Sequence, residues 1–454
     1  MGRIAGPFNS RPLPNFTISP LGLVPKAQAG KFRMIHHLSY PEGDSINDGI
    51  NRDHCVVEYA SFDHAVDLVV RAGRGALMAK ADIESAFRLL PINPEDFNLL
   101  GMKVGESYYV DKALPMGASC SPAYFEMFST FIEWVVKREM GTEGVSHYCD
   151  DFLFIGLKEG HRSCQRVVNQ FERVCEELGV PLAHDKSVGP TDRITYLGLE
   201  IDSANQVISI PDDKLGAIVG KVDRALGNTR LNLKELQSLI GSLSFVCKAI
   251  SPGRAFVRRL IDLIGGAKKP WQHIRLSLGA KYDLRMWAIF LRNFNGHAII
   301  PERFWRDECD IQLFTDASGG IGFGGYFHGR WFQGRWPGER SESRKSIAWM
   351  EFFPIVVAVA VWGHELKGKR VLLRCDNEAV VSIINKQTSR CPEIMRFFVL
   401  QCLKLSLLFS ARHIPGKQNN IADSLSRFQI ARFRELAPDA ERVPAMVPQF
   451  LWTL

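Results

Sequence analysis

An α+β chain of more than one domain is what this sequence predicts, and three observations predict it. Its 454 residues carry 46% hydrophobic and 23% charged side chains, an ordinary globular composition at a length for about two to four domains. Strand-like segments that end in an acid recur in two stretches, residues 77–155 and 311–423. Between them, residues 212–265 repeat apolar positions at helical spacing, as in Leu215, Ile218, Val219, Val222 and Leu226.

Charge and cysteine usage narrow the class. A net charge of +7 with pI about 8.8 suits a polyanionic partner without demanding one. The 10 cysteines are scattered, with no C-x-x-C pair, and read as small buried hydrophobes in a reducing compartment. Residues 1–14 hold Arg3, Arg11 and several chain breakers instead of an apolar leader. The apolar run Phe352–Trp362 contains a proline and falls short of the ~20 residues of a membrane span. The expectation is an intracellular protein, cytoplasmic or nuclear, neither secreted nor membrane-embedded.

The stretch His147-Tyr148-Cys149-Asp150-Asp151-Phe152-Leu153-Phe154-Ile155 sets two adjacent carboxylates in an apolar run, read as two strands with the acids at the turn. Burying two like charges side by side costs several kcal/mol unless a cation compensates, and a divalent metal does so naturally. The plainer alternative is a hairpin tip, where Asp bonds its own backbone. Upstream, residues 1–20 read as an extended arm. Leu21–Lys26 and Gly30–Ile35 read as a hairpin that gathers Lys26, Lys31 and Arg33 near one turn, fit for a phosphate or merely a solvated basic tip. Phe62–Arg71 reads as an amphipathic helix. Leu77–Ala81 alternates as a strand leading to Asp82, which is placed for a metal or for a helix N-cap. Leu114–Pro122 is a loop of small residues running into a long helix through Phe125, Phe128, Phe131 and Val135. A helix at 162–178, then Lys186, then a strand pair around Leu197-Gly198 close this half.

The second stretch opens with Ile311–Ser318, a strand ending in Asp316. Gly- and aromatic-rich hairpins follow to Trp336, then a helix with Glu351 near its start. A strand Val371–Cys375 leads to Asp376, and Arg412–Arg427 is a loop entering a helix that carries Asp423. One acid at a strand end is usually a cap; four in a β-β-β-α-β-α order are hard to read so.

Taken in order, the cationic hairpin, the acid after a strand, the Ser-Pro loop and helix, the Tyr-Cys-Asp-Asp hairpin, the lysine and the Leu-Gly hairpin resemble the reverse transcriptase family over roughly residues 20–202. The second stretch resembles ribonuclease H as fused to retroelement reverse transcriptases. The phrases His413-Ile414-Pro415-Gly416-Lys417 and Ile421-Ala422-Asp423-Ser424-Leu425-Ser426-Arg427 are similar to gypsy-type and DIRS-type retroelements, and Gly117-Ala118-Ser119-Cys120-Ser121-Pro122 with Tyr148-Cys149-Asp150-Asp151 leans towards the DIRS-like group. The resemblance implies a right-hand polymerase of fingers, palm and thumb, followed by an α/β ribonuclease H-like domain with a mixed five-stranded sheet. The boundaries implied are an N-terminal arm 1–19, fingers and palm 20–205, thumb and connection 206–305, a ribonuclease H-like domain 308–428 and a tail 429–454.

What the resemblance implies for chemistry is two-metal nucleotidyl transfer with Mg²⁺, Mn²⁺ being the alternative, at two ions per site. Asp82 and Asp150 are the implied ligands with Asp151 beside them, and Asp316, Glu351, Asp376 and Asp423 are those of the nuclease. Lys26 and Arg33 match residues that grip the triphosphate, and Lys186 matches a lysine proposed to protonate pyrophosphate. Phe87 sits where the family places a steric gate against the ribose 2′-hydroxyl. Gly117 lies in the loop against the template and incoming base, where Met116 departs from the glutamine of retroviral enzymes. Leu197 and Gly198 match the primer-holding hairpin. His413 is either the loop histidine that helps product leave or a plain surface residue. The partners implied are an RNA template, a DNA primer, an RNA–DNA hybrid, dNTPs, and a separate recombinase or integrase. The rivals are a host-adopted or inactive copy that only binds nucleic acid, and a chain in which only the nuclease half works.

Overall fold

The computed structural model describes residues 2–25, 30, 32–267, 269–293, 298–299, 311–336, 346–367, 369–387, 392–405 and 407–453. Lys26 and Lys31, two of the three hairpin cations, lie outside the described residues. Strands and helices mix throughout, and the chain divides into two compact units, Met1–Val207 and Ile208–Leu454.

The first unit is built on strand β4 (Leu77–Asp82), taken here with β1 (Ile4–Phe8), β2 (Leu21–Pro25) and β3 (Phe32–His36) before it. Its other elements are β5 (Gly101–Val104), β6 (Ser107–Asp111), β7 (Val145–Tyr148), β8 (Asp151–Gly156), β9 (Val188–Thr191), β10 (Arg193–Tyr196) and β11 (Leu199–Asp202). The helices are α1 (Phe62–Ala72), α2 (Ser121–Met140) and α3 (Cys164–Glu177). β4, α2, β7, β8, α3 and β9 make a split β-α-β unit with sheet order β7-β8-β4-β9. Ala79 and Ala81, both buried, are small enough for the helices to lie close on one face of the sheet, where Phe125 and Ile132 of α2 and Phe171 of α3 meet Phe152 and Phe154 of β8. Phe171 packs tilted against both, its ring centre 4.8 Å from that of Phe152 and 4.9 Å from that of Phe154. Each such ring contributes about 2–3 kcal/mol of burial. Phe131 is not part of this face: it is 47% exposed beside Trp134 on the outer side of α2.

Residues 4–8 are not a free arm. β1 pairs antiparallel with β6, Ile4 opposite Asp111, and extends the β5–β6 hairpin.

In the second unit, helices Asp212–Gly227, Leu233–Val246 and Leu278–Asn293 precede a five-stranded sheet. The sheet's middle strand, Ile311–Ser318, pairs antiparallel with Gly322–Phe327 and parallel with Arg370–Cys375. Arg330–Arg335 and Leu408–His413 complete the two edges. The helix Ile347–Leu366 packs against the middle strand. Its 20 residues extend beyond the run Phe352–Trp362 and are long and apolar enough to cross a membrane, but 67% of that window is buried as the core helix of this unit. The tail has more structure than its sequence pattern suggests. Helix Ile430–Leu436 buries Phe433 against Trp331, and Trp452 packs its ring on Phe323 and Phe353.

Candidate active sites

In a pleated antiparallel pair, residues directly opposite share one face. Asp82 at the end of β4 is opposite Asp151 at the start of β8, so the two carboxylates come out together on the face away from α2 and α3. Asp150 joins them from the turn. The turn residues are Cys149 and Asp150, while Asp151 already belongs to the strand, so the turn sits one residue earlier than the sequence suggested. Cys149 has φ +57°, which only a turn with a left-handed first position accommodates.

The electrostatics record the crowding. Burial, with Asp82 and Asp150 close by, pushes the Asp151 carboxyl up to about 6, against the pull of Lys80. Burial and Asp82 also raise Asp150. Lys186 Nζ donates to Asp82 Oδ1 at 2.8 Å, and that bond raises the lysine. Lys186 is thus an ion-pair partner of Asp82 in this state.

Around this cluster, Phe87 follows Ser85 and Ala86, both with positive φ, and its ring meets Phe125 edge-on at 5.5 Å. Arg33 is exposed on β3, opposite Val24. Leu197 and Gly198, at φ +44° and +83°, are the two turn residues between β10 and β11, with Tyr196 opposite Leu199. Gly117 answers to a constraint other than a ligand. A Cβ there would lie 1.8 Å from the His36 carbonyl oxygen, because the loop docks on β3 through His36 N–H to Met116 O at 3.0 Å. Asn47 closes the same junction, donating to Gly117 O at 2.9 Å and accepting from Ser119 N at 2.9 Å.

The second cluster lies within the second unit. Asp316 lies within the middle strand, which runs on to Ser318 where the sequence suggested an end at the acid; Glu351 is on the core helix, Asp376 follows Cys375, and Asp423 is on helix Asn420–Ser426. Burial, then Asp376 and Asp423, push Asp316 up to about 6, although Ser426 Oγ donates to its Oδ2. Burial, then Asp316 and Asp376, push Glu351 up to about 8, and its Oε2 is buried without a hydrogen-bond partner. Burial raises Asp376, and His413 pulls the other way. His413 is exposed and stands beside Cys375 in the parallel register. Asp423 is held by Arg427 Nε at 2.6 Å.

Residues 24–201 match the family described as reverse transcriptase (RNA-dependent DNA polymerase). A reverse transcriptase domain occupies that stretch. Protein P of duck hepatitis B virus (strain China) is 27% identical over 169 residues, 36% of this chain and 20% of that protein. Polyprotein P3 of Commelina yellow mottle virus is 23% identical over 380 residues, 79% of this chain and 18% of the polyprotein. The chain therefore spans about a fifth of the length of these curated relatives. Two solved foamy viral protease-reverse transcriptases, each in complex with double-stranded DNA, share the fold at 16% identity and TM-score 0.51. One is matched over 87% of this chain and 65% of its own, the other over 91% and 79%.

The reverse transcriptase domain also holds side chains that sequence reading passed over. Glu126 Oε2 accepts the Cys149 N–H at 3.1 Å, and Ser129 Oγ donates to the Cys149 carbonyl at 2.7 Å, so α2 grips the left-handed turn from both sides. Buried His147 lies between Glu126 and Glu133: its Nδ1 bonds Glu133, and its Nε2 sits 3.2 Å from Glu126 Oε1 as an ion pair without hydrogen-bond alignment. Burial lowers the imidazolium, but the two carboxylates outweigh it and hold its pKa at about 9. Lys137 Nζ, 2.7 Å from Glu133, closes the chain of charges. Glu126, Ser129 and Glu133 fall at helical spacing on the inner face of α2, a polar stripe where apolar residues belong.

Proposed function

We propose that the chain copies RNA into DNA at Asp82, Asp150 and Asp151 and cleaves the RNA strand of RNA–DNA hybrids at Asp316, Glu351, Asp376 and Asp423. The observation that carries the polymerase reading is the Asp82–Asp151 pair in register beside Asp150, a site where burial and the neighbouring carboxylates raise Asp150 and Asp151. Such a donor set fits hard divalent cations, which take oxygen ligands. Asp82 and Asp150 would hold Mg²⁺ or Mn²⁺, with Asp151 in support. In the second cluster the orphaned Glu351 Oε2 is the acceptor that fits a cation best. When bound, paired ions of this kind activate the attacking hydroxyl or water and neutralise the leaving group.

The chain's own residues do the rest. Phe87, braced on Phe125, is placed to exclude a ribose 2′-hydroxyl and so favour dNTPs. Lys186 brings a proton-bearing ammonium to Asp82. Arg33 and Lys26 serve the triphosphate, Gly117 the loop at the template, and the Leu197-Gly198 turn the primer. His413, exposed next to Asp376, is placed to help product leave. The DIRS-like lineage, with gypsy-like as the other, and a separate recombinase or integrase partner complete the reading, in an intracellular setting. A tyrosine recombinase frame found downstream in the genome would support the DIRS-like side.

The test is dTTP incorporation by the purified chain on a poly(rA)–oligo(dT) template with Mg²⁺. Incorporation that disappears in Asp150→Asn supports the proposal. A wild-type chain that binds the template and incorporates nothing overturns it in favour of a binding-only copy.

A further inference from the structure

Next to the nuclease acids stands a side chain of different chemistry. Cys375 ends the strand that leads to Asp376, and it is fully buried. Its sulfur, a carboxylate oxygen of Glu351 and one of Asp376 all lie within 4.8 Å of one another. Among the described residues this is the one group of three or more such donors that meets that spacing. A second observation points into the same space. Glu351 is 9% exposed, and its Oε2 has no hydrogen-bond partner.

Sulfur changes what the site selects. Thiolate is a soft ligand that takes Zn²⁺ or Cd²⁺ and has little to offer Mg²⁺. We propose that Glu351, Cys375 and Asp376 form a binding site for a thiophilic divalent cation, and that its occupation blocks hybrid cleavage by taking Glu351 and Asp376 out of service. As the sulfur–metal bond forms, the Cys375 S–H proton passes to solvent, so the thiol enters the complex as thiolate. Mg²⁺ leaves Cys375 uncoordinated and uses the carboxylates alone. The blocking part rests on the nuclease reading above; the binding part does not.

The experiment titrates the full chain with Cd²⁺ under a phosphine reductant and follows the thiolate-to-cadmium charge-transfer absorption in the ultraviolet. The chain's 10 cysteines make the difference between proteins the readout. Wild type should show a tight component that Cys375→Ser lacks and Glu351→Gln weakens, each by about tenfold or more in affinity. Matching thermal unfolding of the variants shows that they are folded, and Cys375→Ala repeats the test with a second side chain. In parallel, hybrid cleavage in Mg²⁺ should fall on adding Cd²⁺ over the same concentration range. If Cys375→Ser and Cys375→Ala bind Cd²⁺ as wild type does, the site is refuted while the nuclease reading stands. If the tight component is present and lost in both variants but no hybrid is cleaved in Mg²⁺, the site stands and the nuclease reading fails.

Discussion

His147 shows how much of the polymerase cluster is held from below. Its folded pKa of about 9 is above the ordinary 6.5, so the stabilisation it carries is fully present below about 6.5 and is lost as pH rises through about 9. That contribution is on the order of 2–3 kcal/mol. Thermal unfolding of the wild type should therefore lose ground across this window, and His147→Gln should flatten the slope; an unchanged slope contradicts the ion-pair account. Glu126→Ala removes both an acceptor for the Cys149 N–H and a counter-ion for His147. The expected cost is about 3–5 kcal/mol in a denaturant titration, with dTTP incorporation falling further than the folded fraction explains. None of this was legible beforehand. An acid in a helix reads as solvated, and His147 reads as one more residue of a strand. The seven acids stand out in the sequence because acids at strand ends, tight turns and helix starts are local patterns.

At the scale of elements, one left-handed turn and one close approach in a strand are decisive. Cys149 occupies a left-handed position that favours glycine, so Cys149→Gly should stabilise the first unit by about 0.5–1 kcal/mol, read as a higher denaturant midpoint. A lower midpoint would show that the Cys149 side chain matters more than its backbone. In the second unit, Gly324 is opposite Asp316, and a Cβ there would lie 2.4 Å from Leu425 Cβ. That glycine is what lets helix Asn420–Ser426 lie on the sheet and bring Asp423 towards Asp316. Gly324→Ala should cost about 1–3 kcal/mol and reduce hybrid cleavage, whereas Gly320→Ala, with open space around it, should do neither. The alternation of Leu77–Ala81 was readable as a strand, and the helical period of residues 212–226 as a helix. The glycine run 319–325 showed hairpins but not which helix they admit, because close approach is a property of the partner. Phe131 was misplaced for a related reason: on α2 the apolar residues occupy both faces, so periodicity alone does not tell which is covered. The tail was unreadable because Phe433 and Trp452 become core residues only once Trp331, Phe323 and Phe353 are in place.

For the whole molecule, each acid cluster lies within one compact unit, Asp82, Asp150 and Asp151 in the first and the other four in the second. Two chemistries on one chain should then be separable by single substitutions that keep side-chain size. The most direct measurement follows nucleotide incorporation and hybrid cleavage side by side on one primed RNA template, for wild type, Asp150→Asn and Asp376→Asn. The account predicts that Asp150→Asn abolishes incorporation and keeps cleavage, while Asp376→Asn does the reverse. Incorporation that survives in Asp150→Asn would contradict it at its centre.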